Sequence, residues 1–464
     1  MNSRIYALMA AVVAVSSLSA QTSYDAMKVM GEELNGTARY VGMGGAMGAF
    51  GNDISVISKN PAGIGTFVNN DVNVSFSFTG SSTPMTGAGT YDGLSVSSDK
   101  TKQSTGMNVL LDNASFVLVM PTFNSAIKSM NLAVSYHNSN NVKRSLYYND
   151  SFRTSDGYIV FRDFSDNQSM RVRSLDFNLS WNLDDRVYWG VTFGALRAWS
   201  RSDGYFYDYF PKQNGFDKAV DYTSFDRCID YDGHGWNMKA GVIVRPGAGN
   251  FRMGLAISTP SYYRVSLSYT DYLYALKGEP KDGSKYTQKI NYEQTTPWTL
   301  NASLGYSGAR NAIGLEYEYN SVNSTYLAVS NQRLHSQGDM HDFKSYSTLK
   351  AGYETNISKF SLRCGYNYTF PKFRDDAVRH LGVTEFNDQR CDFEYENIRD
   401  THTATAGFGY CSAPDRFGGQ YYIDFAYMLN IQNSEFCVGE YSDDPKIGFR
   451  TKYHKVLVTF GMTF

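Results

Sequence analysis

From Asp71 onward the chain alternates apolar and polar residues with a period of two, and it does so repeatedly. Val72, Val74, Phe76 and Phe78 are separated by Asn73, Ser75 and Ser77. Leu175, Phe177, Leu179 and Trp181 alternate with Asp176, Asn178 and Ser180, and Phe360, Leu362, Cys364, Tyr366 and Tyr368 with Ser361, Arg363, Gly365 and Asn367. This period builds strands with one apolar and one polar face. Alternation alone also suits a soluble sandwich, whose polar face meets water. The spacing of the segments separates the two. Strands are expected at 71–80, 113–120, 129–137, 171–182, 186–199, 234–244, 250–270, 296–306, 309–320, 344–356, 359–370, 401–412, 418–430 and 453–464, fourteen in all. The gaps between them alternate long and short. Long gaps fall at 81–112, 138–170, 200–233, 271–295, 321–343, 371–400 and 431–452. An even strand count with every long loop at one end is the pattern of an outer-membrane β-barrel. The segment 250–270 must then be one long strand bent near Thr259-Pro260.

The last strand agrees. Val456, Val458, Phe460, Met462 and Phe464 share a face, and the terminal Phe464 is the signal that barrel-assembly machinery reads. If the apolar face meets lipid, the lumen holds Asp176, Lys239, Arg252, Glu316, Glu318, Lys350, Glu354, Arg363, Asp424 and Lys455. Both signs are present. A single-sign lumen would suggest an ion-selective pore, whereas mixed charges suit a salt-bridged wall around a plug. A barrel of this size is too wide for side chains alone to fill. The candidate plug is the glycine-rich run from Gly36 to Gly51 and on to Gly65, which lacks strand alternation. Helical turns are expected over 24–34, ending at Gly36, and from an Asn52-Asp53 cap through Ser58 until Asn60-Pro61 stops them.

Composition supports a barrel. Aromatic residues make up 15% of the chain and charged residues only 19%, a mixture that favours half-buried strands with aromatic belts. A net charge of −2 gives no electrostatic case for nucleic acid. At the N-terminus, Arg4, the apolar run Ala7–Val15 and the small residues up to Ala20 read as a secretory leader cleaved before Gln21. The division expected is leader 1–20, plug 21–70 and barrel 71–464. Five Cys are present, at no metal- or haem-attachment spacing. Cys364 points to lipid and Cys411 to the lumen, so these two cannot pair, whereas Cys391 and Cys437 lie in successive external loops and could; Cys228 is left over in the third. No cofactor is implied. No catalytic motif occurs: Gly42-Met-Gly44-Gly45-Ala-Met47 misses G-x-G-x-x-G at its last position, and G-x-S-x-G and H-E-x-x-H are absent.

Gly36-Thr-Ala-Arg-Tyr-Val-Gly-Met-Gly-Gly-Ala46, followed by Asn52-Asp-Ile-Ser55 and Asn60-Pro61-Ala62-Gly63, resembles the N-terminal hatch of the FadL/TodX (OMPP1) outer-membrane transporters, and most closely the versions in Bacteroidetes-type bacteria. The resemblance implies a 14-stranded barrel, a hatch, and inward passage of long-chain fatty acids or aromatic hydrocarbons. It assigns the Asn-Pro-Ala hatch motif to Asn60, Pro61 and Ala62. It also implies an apolar ligand groove between the third and fourth external loops, which here hold Tyr205, Phe206, Tyr207, Tyr209 and Phe210, and Tyr272, Leu273, Tyr274 and Leu276. Such aromatics suit an apolar partner; on strand extensions they would instead form a girdle. The resemblance further implies a lateral exit at a kinked third strand, although 129–137 holds no Gly or Pro.

The expected partners are therefore a hydrophobic small molecule or lipid, outer-membrane lipid and the barrel-assembly machinery, with the chain a monomer. Two alternatives stand beside uptake. A related barrel serves in type IX protein secretion as a shuttle subunit. Some relatives are labelled haemin receptors, for which His335, His341 and His380 on external loops are the available ligands.

Overall fold

A computed structural model describes residues 29–30, 33–82, 90–91, 94–95, 108–122, 126–153, 159–209, 222–247, 249–276, 284–322, 325–329, 332–335, 343–374, 397–416, 418–437 and 446–464. The leader expected at 1–20 lies outside these residues, as does most of the helix expected over 24–34. Residues 29–30 and 34 form a turn and bends.

The described strands close into a 14-stranded antiparallel barrel. In order they are β1 (Asp71–Ser82), β2 (Asn108–Pro121), β3 (Ile127–Arg153), β4 (Ile159–Leu183), β5 (Val187–Tyr209) and β6 (Tyr222–Val244). β7 runs as Phe251–Ser258 and Tyr262–Leu276, β8 as Ser284–Thr295 and Trp298–Ser307. β9 (Asn311–Ser321, extended by Leu327–Val329) and β10 (Gln332–His335 and Tyr346–Ile357) follow. The last four are β11 (Phe360–Thr369), β12 (Asn397–Cys411), β13 (Gln420–Cys437) and β14 (Lys446–Thr463). Closure comes from β1 against β14, in register from Asp71↔Thr463 to Ser82↔Lys452. The short ends use tight turns: Asp184 and Asp185 both hold φ near +55°, which matches the twist of the flanking strands.

The strand count and the bend near Pro260 agree with the alternation. Several strands are longer than expected. The expected gap 138–170 is mostly ladder, with β3 reaching Arg153 and β4 beginning at Ile159, and 200–233 likewise shrinks to 210–221. Cys228 consequently lies in β6 rather than in a loop. Above the membrane both faces of a strand meet water or loops, so pairing continues where alternation has ceased to report it.

The pattern of exposure is inside out. Trp189, Phe193, Leu255, Leu315, Phe360 and Phe464 are all exposed on the outside, while Ser75, Asn131, Asp176, Ser180 and Thr459 are completely buried within. A continuous exposed apolar surface is unstable in water and stable in hydrocarbon. The molecule is a multi-pass outer-membrane barrel. No helix among the described residues is long and apolar enough to cross a membrane.

Candidate functional site

The segment from Glu33 to Asn70 lies inside the barrel. Thr37 starts its one α-helical turn set, α1 (Ala38–Gly42), by accepting a hydrogen bond from the Tyr40 amide at 3.1 Å. Asp53 caps a 3-10 helix over Ile54–Ser58, and Asn60 caps a second over Pro61–Thr66. The Asp53 cap and the stop at Asn60-Pro61 follow the sequence expectation; α1 is additional.

Four lumen-facing glycines create the bed for this segment. Gly305, Gly314, Gly352 and Gly365 are direct cross-strand partners on β8, β9, β10 and β11. A Cβ on Gly314 would land on the Ala46 carbonyl, one on Gly352 on the Met43 carbonyl, and one on Gly365 on the Gly44 amide. A bare track four strands wide thus lets backbone lie on backbone. The glycines are visible in the sequence at small-residue positions of the alternation, but their alignment into one row needs the register.

The lumen charges bind the segment rather than line an open pore. Arg39 donates to both oxygens of Glu354 at 3.0 Å, and Arg363 joins Glu354 to Asp424. Lys59 reaches Glu318, which shares Lys350 with Glu316, and Glu316 accepts from the Gly48 amide at 3.0 Å. Lys455 donates to Asn35 at 2.8 Å and lies 3.6 Å from Asp112. In each cluster the barrel presents the charge and the inner segment completes it.

The Asn60-Pro61-Ala62-Gly63 motif is a clamp. Asn60 Nδ2 donates to the Gly48 carbonyl at 2.8 Å and to the Val242 carbonyl of β6 at 3.3 Å, while its Oδ1 accepts from Ala62 N at 3.2 Å. The Pro61 carbonyl accepts from Ser180 at 2.9 Å and Asn178 at 3.3 Å on β4. A Cβ on Gly190 would lie 2.6 Å from that carbonyl. The Gly63 carbonyl accepts from Thr66 Oγ1 at 2.8 Å. Replacing Asn60 with alanine leaves two buried carbonyls short of a donor, so a loss of about 2 kcal/mol in plug anchoring is expected. Faster proteolytic cleavage within residues 33–67, with the barrel's own melting unchanged, is the measurement that checks it.

Above the inner segment the lumen changes character. β7 breaks at Thr259-Pro260-Ser261 and β8 at Thr296-Pro297. Below the break the odd residues of β7 face lipid and the even ones the lumen; above it Tyr263, Val265 and Leu267 face inward instead. β8 reverses likewise, bringing Tyr292 inward. Thr296 N donates to the Ser261 carbonyl at 3.1 Å and Ser261 N to Thr296 Oγ1 at 2.8 Å, so the interruption leaves these amides paired. The result is an apolar wall of Val172, Leu196, Tyr263, Val265, Tyr346 and Phe373, packed with Val29 and Met30 of the inner segment.

A cavity of about 320 Å³ lies between this wall and the plug, within the size range of small-ligand sites. Met30, Met170, Val172, Leu196, Tyr263 and Phe373 line its apolar side. Lys59, Glu318, Lys350, Asn35 and Lys239 line its polar side. Lys372, in the segment after β11, stands over the Tyr346 ring at 5.0 Å. Burial pushes its amine down to about 8.

The cavity also reaches His137, Asn138 and Ser139 of β3. There β3 carries a bulge between Asn138 and Asn140, and its ladder to β2 stops at Asn113↔His137. β2 bulges at the same height, where Asp112 is skipped in the pairing with β1. The third strand is thus bent by a bulge, which needs neither Gly nor Pro.

The aromatics expected in ligand-binding loops lie on strand extensions. Tyr205 is exposed on the outer face of β5, Tyr207 is half-buried, and Tyr272 on β7 sits under Lys285 Nζ at 5.4 Å. None of these three lines the cavity. Phe206, Tyr209, Leu273, Tyr274 and Leu276 lie within the strands, their side chains outside the described set, and Phe210 lies outside the described residues altogether. So do His341, His380 and Cys391, while His335 and Cys437 are placed only in backbone. The chamber residues themselves were hidden by the reversal of facing at Pro260 and Pro297.

No known family's sequence profile matches the chain, and no curated protein matches it. Solved structures do. A Pseudomonas aeruginosa FadL homologue is similar over 94% of this chain and 99% of its own, at 13% identity and a TM-score of 0.56. The Pseudomonas putida toluene transporter TodX is similar over 93% and 99%, at 12% identity and 0.57. The Ralstonia pickettii toluene transporter TbuX is similar over 93% and 99%, at 13% identity and 0.55. At these identities the likeness is one of fold.

Proposed function

We propose that this chain, which has the fold of the FadL-type barrels, carries hydrophobic or amphipathic compounds passively across the outer membrane. The observation that carries this reading is the apolar-walled cavity sitting directly on an inner plug. Residues 21–70 act as a hatch, 71–464 as the barrel and 1–20 as a removed leader. An apolar compound leaves water for the chamber, and its partition into that wall supplies the driving force. It then passes onward through movement of the hatch or sideways where the β2–β3 ladder ends at Asn113 and His137, with no bond made or broken. Phe464 serves assembly, and the barrel works as a monomer. The toluene transporters among the structural neighbours support a hydrophobic cargo.

Long-chain fatty acid is the cargo class favoured by Lys372, a cationic side chain that lines the cavity beside its apolar wall. The Lys372 amine is protonated below about pH 8 and neutral above it, so affinity for a carboxylate is greatest below that pH and falls as pH rises through it. An uncharged analogue of the same chain length should show no such fall. Equal pH profiles for the two, measured by fluorescent-ligand displacement on the purified barrel, would remove the fatty-acid assignment.

Uptake itself is tested in a deletion strain. Loss of the gene should slow uptake of long-chain fatty acid or toluene, and a Leu196→Arg copy should restore less than about a tenth of the rate, since the new charge would stand in the cavity among the apolar side chains of the wall. Unchanged rates across several apolar substrates in the deletion strain would end the proposal.

A further inference from the structure

On the outer face of β14, Arg450, Lys452 and His454 follow one another at alternate positions, directly above Val456, Val458, Phe460 and Phe464. From Val456 to Phe464 the strand climbs about 20 Å of membrane depth at ~3.3 Å per residue and ~40° tilt, close to the apolar band of such barrels. His454 therefore marks the upper edge of the hydrocarbon, and Lys452 and Arg450 stand in the headgroup layer.

The stripe runs along a trough. Its partners on β1 are Gly80 opposite His454 and Ser82 opposite Lys452, and a Cβ on Gly80 would meet nothing within 4 Å. On β13 it is flanked by Leu429, Ile431 and Asn433. Among the described side chains the nearby outward carboxylate is Asp400 on β12, engaged by His402 at 2.9 Å and by Asn433 at 2.9 Å. Arg450 donates to Asn433 at 3.0 Å, and Tyr427 holds His454 at 2.7 Å. Among the described residues neither Arg450 nor Lys452 has a carboxylate within ion-pair distance. The far wall differs: Arg197 has Asp232 at 3.1 Å and Arg264 has Glu293 at 3.6 Å.

We propose that this β14–β1 trough docks the phosphate groups of a lipid in the outer leaflet. Arg450 offers a planar fork of donors and Lys452 a point charge, and the exposed Val456 and Phe460 carry the acyl chains below. An anionic headgroup layer attracts such basic side chains, and the bare Gly80 and short Ser82 beside them let a headgroup approach the stripe.

The test uses the full barrel in phosphatidylcholine nanodiscs with bisphosphorylated lipid A or its dephosphorylated form, read by native mass spectrometry. Wild type should retain the bisphosphorylated lipid roughly tenfold better, with the preference shrinking as salt rises. Arg450→Gln/Lys452→Gln/His454→Gln should lose it, and Arg197→Gln/Arg264→Gln should keep it. If the triple variant does not fold, Lys452→Gln alone and the salt response decide. Equal retention of the two lipids by wild type, wild-type retention by the β14 variants, or equal loss in the far-wall pair would each overturn the proposal.

Discussion

Exchange of Gly365 for valine is expected to release the inner segment from the barrel. The new side chain would begin on the Gly44 amide, and the clash is with backbone, which has no alternative rotamer. Overpacking costs ~1–3 kcal/mol when side chains can yield, so the upper end, about 3 kcal/mol, applies here. Gly44 has φ +62° and the neighbouring Gly45 +74°, so the segment has little freedom to re-route. The fourteen-strand ladder is untouched. Planar-bilayer recordings should therefore show an open conductance in Gly365→Val and none in the wild type, with faster proteolysis of residues 33–67. Gly448→Val, where a Cβ meets nothing within 4 Å, is the matched control. A closed, protease-resistant Gly365→Val barrel would contradict the close packing described.

Removal of Arg39 should have an effect of similar size for a different reason. Its guanidinium is held by Glu354 through two hydrogen bonds and donates to the Asn52 carbonyl at 2.8 Å. Arg39→Leu leaves Glu354 and Asp424 sharing Arg363 alone, one uncompensated negative charge in a buried cluster. Breaking such a pair from one side costs ~3–5 kcal/mol. Arg39 keeps 26% side-chain exposure, which favours the lower end. Arg39→Leu with Glu354→Gln should recover a large part of the loss, because the second change removes the stranded charge. Protease protection of residues 33–67 across the four-member cycle measures this, and additive losses would show that the pair is not coupled.

The two experiments probe features of unequal legibility. Mixed charges at lumen positions were readable from alternation, and Glu316, Glu318, Lys350, Glu354, Arg363, Asp424 and Lys455 all face inward as expected. Which of them meets Arg39 or Lys59 was not readable, since contacts across more than 250 residues depend on where the inner segment sits. The glycine track is intermediate. Each glycine stands in the alternation, but only strand register aligns Gly305, Gly314, Gly352 and Gly365 into one row.

The aromatic loops illustrate a different failure. Alternation stops before Tyr205 and Tyr272, which reads as loop, yet hydrogen-bonded ladder continues past both. The third strand repeats the point, since a bulge at Ser139 bends it without any residue that advertises a bend.

Period-two alternation and uneven loop lengths determined the barrel, its strand count and its membrane face from sequence alone. These are local, repeated patterns, and solvation by lipid on one side enforces them residue by residue. Tertiary structure decided the chamber. At Pro260 and Pro297 two neighbouring strands exchange their faces, so Tyr263, Val265, Leu267 and Tyr292 turn from lipid to lumen. A one-residue change of phase is invisible in composition, yet it redirects every side chain above it.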